Sequence, residues 1–368
     1  MNVKISYSTK ENVNDAIQDI KEQLTDIDPR MVIYFASSVF DPKNLSQQMQ
    51  NAFNSATVFG CSTAGEIVSG KLLKRSIVAM AFSSDAIEDV KVEIVENIKE
   101  GNNVESAFSA FGEYYGTSMD ELDFTKYVGI ILVDGLSGAE ERLMDRIGDL
   151  TNVTFVGGSA GDDLKFQKTF VFAGNKAYTN ATILALIKPR IGFDIIKTQS
   201  FFGTDKTLVA TKVNVAGREV IEFNNRPASI VYAEAIGTAV DNAPGYFMSN
   251  PVGLMFGDEP YVRSPQQIKG ERMVFYCNVL EGMELSLLTS TDIVKDTKKA
   301  IDAKKKELGS ISAIINFHCI LRTLELESKG ITEAYGKLFT DIPTIGFSTY
   351  GEEYIGHINQ TSTMLVFK

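Results

Sequence analysis

Three times along this chain a short strand runs into nearly the same glycine-centred spelling. Gly60-Cys61-Ser62-Thr63-Ala64-Gly65-Glu66 and Gly346-Phe347-Ser348-Thr349-Tyr350-Gly351-Glu352 carry Gly, Ser, Thr, Gly and Glu in register, and Gly157-Gly158-Ser159-Ala160-Gly161-Asp162 is a version one residue shorter. An internal repeat constrains a fold more tightly than any single motif. The flanks repeat as well. A buried apolar run ends 24 residues before the first glycine (Ala36 to Gly60), 24 before the second (Val133 to Gly157) and 29 before the third (Phe317 to Gly346). The next strand starts 16, 25 and 16 residues after each glycine, at Ser76, Thr182 and Ser362. Each unit therefore reads strand, helix, strand, glycine loop, strand. A strand–helix–strand crossover makes its two strands parallel, and the returning strand is antiparallel. The expected class is α/β: mixed β-sheets built from three repeated strand–helix–strand–strand units, with helices packed on the sheets. A length of 368 residues exceeds what one core serves, so two domains are expected. They are residues 1–202, holding two units, and 203–368, holding the third.

Local signals fill in the rest. Asp41-Pro42 reads as a helix start, with Asp as N-cap and Pro in the first turn. The glycines are read as left-handed turn positions after the strands. The nine extra residues of the middle unit are assigned to a longer hairpin about Ala173-Gly174-Asn175. Hairpins are also expected across Ala216-Gly217 and across Glu281-Gly282. Residues 238–265 hold Pro244, Pro251, Pro260 and Pro265 with several aromatics, and read as a long irregular loop or lid. The lysine-dense run Lys295 to Lys306 reads as a solvated amphipathic helix.

Composition removes several function classes. A net charge of −11 repels phosphate backbones, which argues against nucleic acid. Cys61, Cys277 and Cys319 are odd in number and far apart, so neither a disulfide framework nor a zinc spacing is present. With two histidines and no clustered ligands, no metal or cofactor is expected. No apolar run is long enough to insert in a membrane, and Asn2-Val3-Lys4-Ile5-Ser6 does not start a secretory signal. A cytoplasmic protein is the expectation.

The candidate chemistry gathers near the third glycine motif. Loops at strand ends are where α/β sheets bind ligands. Ser348 and Glu352 offer a hydroxyl and a carboxylate there. His318-Cys319 follows a buried strand, and Arg322, three residues on, shares a helical face with Cys319. A guanidinium clamps carboxylates in bidentate pairs, and it lowers the pKa of a neighbouring thiol. Gly157-Gly158-Ser159-Ala160-Gly161 matches a hydrolase elbow in letters, but that motif needs a helix directly after the serine, and the pattern here gives none.

At these residues the sequence resembles the FIST family of sensor proteins. Thr57 to Ile67 is similar to the signature of its N domain, and Phe155 to Ala160 to a second landmark. Glu222 to Tyr232, Tyr261-Val262-Arg263, Phe317 to Arg322, Gly346 to Glu352 and Asn359 to Thr361 are similar to its C domain. His318 and Leu321 depart from the Ser and Gly that the family pattern carries at those places. The resemblance implies a sensory module for signal transduction that binds a small molecule, an amino acid or small carboxylate. No kinase, methyl-accepting or cyclase segment is recognised in this sequence, so output through a separate signalling protein is expected. The expected ligand residues are Arg322, Glu352, Ser348 and Cys319, with Asn359, and with Arg263 closing over them. The alternative is an enzyme acting on a small metabolite through Cys319 or an acid–base pair.

Overall fold

The fold is described from a computed structural model of the chain, over residues 2–101 and 103–368. The chain forms two compact units that are interleaved in sequence. Unit 1 is residues 1–197, 297–357 and 362–368; unit 2 is residues 198–296 and 358–361.

Unit 1 is three six-stranded sheets. The first stretch of chain runs β1 (Val3–Ser8), α1 (Val13–Gln23), β2 (Pro29–Ser37), α2 (Pro42–Ala52), β3 (Thr57–Thr63), a small hairpin of β4 (Glu66–Val68) and β5 (Lys71–Leu73), then β6 (Ile77–Ser83). The second runs β7 (Ile87–Glu96), α3 (Val104–Tyr115), β8 (Val128–Val133), α4 (Glu140–Leu150), β9 (Phe155–Ser159), a hairpin of β10 (Val171–Ala173) and β11 (Lys176–Tyr178), then β12 (Ala181–Pro189). The third opens with β13 (Phe193–Gln199) and is then interrupted by unit 2. That unit runs β14 (Phe201–Asn214), β15 (Glu219–Phe223), β16 (Arg226–Pro227), α5 (Ala228–Ile236), β17 (Val252–Phe256), β18 (Glu259–Arg263), β19 (Pro265–Lys269), β20 (Arg272–Phe275) and β21 (Glu284–Ser290). The third stretch then resumes with α6 (Ile293–Leu308), β22 (Ala313–Cys319), α7 (Ile320–Ser328), α8 (Thr332–Lys337), β23 (Thr344–Thr349), β24 (Glu352–Tyr354), β25 (His357–Ile358) and β26 (Thr361–Phe367).

The three sheets share one order. Sheet A is β1-β6-β2-β3-β10-β11, sheet B is β13-β26-β22-β23-β4-β5, and sheet C is β7-β12-β8-β9-β24-β25. In each, the two central strands are parallel (β2 with β3, β22 with β23, β8 with β9) and the returning strand is antiparallel (β6, β26, β12). The small hairpin never joins its own sheet. β4–β5 crosses to sheet B, β10–β11 to sheet A and β24–β25 to sheet C, so the exchange is cyclic.

This geometry explains the glycines, and differently from the turn reading. Gly60, Gly157 and Gly346 lie inside β3, β9 and β23, opposite Tyr34, Ile131 and Asn316 of the parallel neighbour. A Cβ would come within 1.8, 1.7 and 2.2 Å of those residues' carbonyl oxygens. Backbone proximity across the parallel pair, not a positive φ, excludes a side chain. Two positions on, the serines fasten the exchange. The backbone of Ser62 pairs with Gly161 N and Phe170 O, that of Ser159 with Tyr350 N and Gly351 O, and that of Ser348 with Ala64 N and Gly65 O.

Alternation along the strands divides the faces. One face of every sheet looks to a shared core that includes Phe35, Phe59, Leu132, Val156, Phe317 and Phe347. Phe35 and Phe347 meet with ring centroids 4.5 Å apart. The other face of sheet A carries α1 and α2 over Val32, Tyr34, Ala36 and Ile77, and that of sheet C carries α3 and α4 over Ile131, Val133, Leu184 and Leu186. Central strands buried on both faces need unbroken apolar runs, which is why Met31–Ala36 and Val128–Val133 read as they do. Asp41 caps α2 as expected, accepting from Asn44 N at 2.8 Å, with Pro42 in the first turn.

Unit 2 is one sheet, β18-β17-β21-β14-β15-β20-β19 with β16 beside β15, around a core with Phe223, Tyr232 and Phe275. Two expectations are corrected here. The proline-rich stretch is not one irregular lid, because its second half is the β17–β18 hairpin, with Pro260 on an edge strand where no ladder N–H is missed. β20 and β21 do not pair with each other. β20 lies between β15 and β19, and β21 between β14 and β17. The expected β14–β15 hairpin is present. In unit 1, β10–β11 turns in two residues, so the nine extra residues of the middle stretch lie ahead of that hairpin, between β9 and β10.

Candidate functional site

The helix-facing side of sheet B departs from its sisters at the C-terminal end of the parallel strands. Register puts Asn316 where sheets A and C have Tyr34 and Ile131, and His318 where they have Ala36 and Val133. On the returning strand, Ser362 takes the place of Ile77 and Thr182. The helices above bring more polar groups. Tyr335 of α8 places its hydroxyl 3.2 Å from Asn316 Nδ2 and 3.0 Å from His318 Nδ1. Ser362 Oγ donates to Asn316 Oδ1 at 2.7 Å. Ser348 Oγ and Thr323 Oγ1 of α7 are 2.8 Å apart, and Arg322 Nη2 donates to Thr297 Oγ1 of α6 at 3.0 Å. Arg322 is 1% exposed and His318 0%.

The Tyr335 hydroxyl accepts from Asn316 Nδ2 and lies within hydrogen-bond reach of His318 Nδ1 and, at 3.4 Å, of Ser362 Oγ. Burial, helped by the charge of Arg322, holds the His318 imidazole well below its ordinary pKa, hence neutral. Its Nε2 is buried with no protein partner. A buried polar atom left without a partner costs about 1–3 kcal/mol.

The expected residues separate into three places. Arg322, Ser348 and the buried thiol of Cys319 belong to this end of sheet B, with Cys319 the last residue of β22. Glu352 lies on β24, paired to Gly158 of sheet C, and its fully buried carboxyl accepts from Thr349 Oγ1. Thr349 shares the core face of β23 with Phe347, whereas Ser348 faces α7. Arg263 and Asn359 belong to unit 2, where their chain neighbours Ser264 and Gln360 are hydrogen-bonded at 2.8 Å. Arg263 Nε and Asn359 Oδ1 are buried without a protein partner.

Two domain signatures run through these elements. The FIST N domain is matched over residues 30–226 and the FIST C domain over residues 228–354. The chain belongs to the FIST family. FIST domains are sensory, signal-transduction domains. An uncharacterized protein of Methanocaldococcus jannaschii is 23% identical over 327 residues, which are 83% of this chain and 62% of that protein, so the chain spans less than two thirds of that relative. No helix among the described residues is long and apolar enough to cross a membrane.

Sequence reasoning missed a second polar knot in this FIST chain. Ser159 Oγ donates to Glu353 Oε1 at 2.9 Å and lies 3.5 Å from Glu140 Oε1, and His357 Nδ1 is 3.4 Å from Glu353 Oε1. Burial pushes Glu353 up to about 7. Burial alone would lower His357, but its bond to Glu353 and the charges of Glu141, Glu140 and Glu353 raise it to about 9. The imidazole lies against Gly351, where a Cβ would meet its Cε1 at 2.1 Å. The serine therefore bonds the carboxylate rather than an imidazole, unlike a hydrolase triad. No group of three His, Cys, Asp or Glu side chains suited to a metal occurs among the described residues.

Proposed function

We propose that this chain is a cytoplasmic sensory module that binds a small anionic ligand, an amino acid or a small carboxylate, at the helix-facing end of sheet B, and signals through a separate protein. One observation carries the reading. Two of three equivalently ordered sheets carry Tyr34 and Ala36, or Ile131 and Val133, at the two central-strand positions where sheet B has Asn316 and His318, so the fold does not need those two polar side chains. A guanidinium is complementary to a carboxylate, and the partnerless imidazole Nε2 of His318 leaves a polar atom for the ligand to meet. In this reading Arg322 and His318 hold the anionic group and Ser348 lines the wall, while Cys319, paired with Thr349 on the opposite face of the sheet, is left out. Glu352 closes its loop rather than meeting the ligand, since Glu66 is buried at the corresponding place and is likewise held by the threonine three residues back, Thr63. We also infer that the three sheet-forming stretches are copies of one unit, which their shared strand order and glycines support.

The test is a thermal-shift screen of amino acids and small carboxylates against wild type, Arg322→Ala, His318→Phe and Ser348→Ala. A ligand that raises the wild-type midpoint should lose most of that rise in Arg322→Ala and part of it in the other two. Equal shifts in wild type and Arg322→Ala refute the assignment. Ser348→Ala keeps the test usable should the arginine variant fold poorly.

A further inference from the structure

The β9–β10 connection takes no part in the sheet B site, and it bonds β3 through the backbone of Gly161, Asp163 and Phe170. β3 reaches β4 through Ala64-Gly65, and β23 reaches β24 through Tyr350-Gly351, whereas β9 reaches β10 through residues 160–170. The crossing to a neighbouring sheet thus needs only two residues. The surplus is not slack chain. Asp163, Leu164 and Phe166 have φ of 54°, 63° and 52°, left-handed values that cost non-glycine residues about 1–3 kcal/mol each. Asp162 imposes them. Its carboxylate, 2% exposed, accepts from the amides of Phe166, Gln167 and Lys168 at 2.9, 2.6 and 2.9 Å and from the Tyr350 hydroxyl at 2.6 Å. Phe166 stacks on Tyr350 with centroids 5.0 Å apart. Asp163 turns the other way and fastens the loop to the end of β2, accepting from Ser37 Oγ, Ser38 N and Ser38 Oγ at 2.9, 3.0 and 2.5 Å.

Beneath this loop, at the C-terminal ends of β2 and β3, is a cavity of about 180 Å³. Phe40, Phe170 and Phe172 form its apolar wall, and Lys165 and Lys168 are at its rim. Lys165 Nζ is 3.0 Å from Ser38 Oγ, and Lys168 Nζ is 5.1 Å from the Phe170 ring centroid. The one acidic group of the lining, Asp162, is consumed by four donors. Strained backbone that persists only because its surroundings over-determine it clusters at ligand sites. An apolar pocket with a few placed charges is the usual form of a small-molecule site.

We propose that the inserted loop 162–168 builds a second ligand site, on sheet A, for a small carboxylate carrying an aromatic or branched apolar body. The body lies against Phe40, Phe170 and Phe172, and the carboxylate meets Lys165 and Lys168. This site is independent of the one at Arg322.

Saturation-transfer NMR on the full chain tests it with phenylacetate, with phenethylamine (a similar body of opposite charge) and with inorganic phosphate (charge without a body). Phenylacetate should bind, and the other two at least tenfold more weakly. The double variant Lys165→Ala/Lys168→Ala should lose at least tenfold in phenylacetate affinity with an unchanged unfolding midpoint, since both lysines are exposed. No phenylacetate signal, an amine that binds equally, or a double variant that binds like wild type would overturn the proposal. So would binding that survives the lysine changes and is lost in Ser348→Val, because that places the ligand on sheet B.

Discussion

Single residues decide how closely the strands of this protein approach. Gly157 faces the Ile131 carbonyl at a distance that leaves no room for a methyl group. Gly157→Ala should therefore cost roughly 1–3 kcal/mol or more, the range of overpacked cores. Gly148 is the control. It is exposed on α4 with nothing near its missing Cβ, so Gly148→Ala should stabilise by about 0.5–1 kcal/mol. Denaturant unfolding of both variants checks the pair, and a shift of the same sign in each would contradict the geometry. The thrice-written glycine was legible in the sequence, but its cause was not. A glycine in a turn and a glycine under a carbonyl read alike, because the letter reports only a missing Cβ. The site was legible in part for a similar reason. Arg322, Cys319 and Ser348 stand out beside motifs, whereas Tyr335, Thr297 and Thr323 are ordinary helix residues, and only the crossing of α6, α7 and α8 over sheet B gives them a role. Register gives Ser37 and Asp134 as the counterparts of Cys319 in the other two sheets.

At the scale of elements, the loop between β9 and β10 has four of its hydrogen bonds on one side chain. Removing the Asp162 carboxylate leaves three amides and a tyrosine hydroxyl to water. Asp162→Ala should release the left-handed residues, so that limited proteolysis cuts between 163 and 168 at least several-fold faster than in wild type. The stability loss should be about 1–3 kcal/mol. Cleavage at the wild-type rate would mean that Phe166 stacking and the Asp163 bonds suffice. Most other elements were legible, because apolar runs, the Asp41-Pro42 start and the lysine helix follow from local periodicity. Length counting found the nine-residue surplus but misplaced it, since spacing does not say on which side of a hairpin extra chain lies. The prolines of 238–265 misled for a related reason. Proline excludes a central strand but not an edge, and edge position is a tertiary fact.

Over the whole molecule, buried acids set how stability responds to pH. Burial pushes Glu66 up to about 8 from the 4.5 of a free carboxyl, against hydrogen bonds from Ser76 and Thr63. Between those values the folded chain keeps a proton that the unfolded chain has lost, so this group's contribution falls as pH rises and is level above about 8. Glu353, raised to about 7, has the same sign. The contribution of His357, raised to about 9 from 6.5, is complete below 6.5 and is lost as pH climbs through 9. All three act together, so the thermal midpoint should fall from pH 5 to pH 9, and Glu66→Gln should flatten that fall below pH 8. A midpoint that rises across this range would show the two carboxyls charged and His357 neutral in the fold. The strand exchange also sets a timetable for synthesis. Sheet A has all its strands once Tyr178 has emerged, but sheet B must wait for β26, and sheet C for β24 and β25. Until then β4 and β9 present unpaired edges, which recruit other strands. A chain interrupted before Glu352 thus carries two open sheets, so the interval between the emergence of Tyr178 and that of Phe367 is when this protein is most exposed to aggregation.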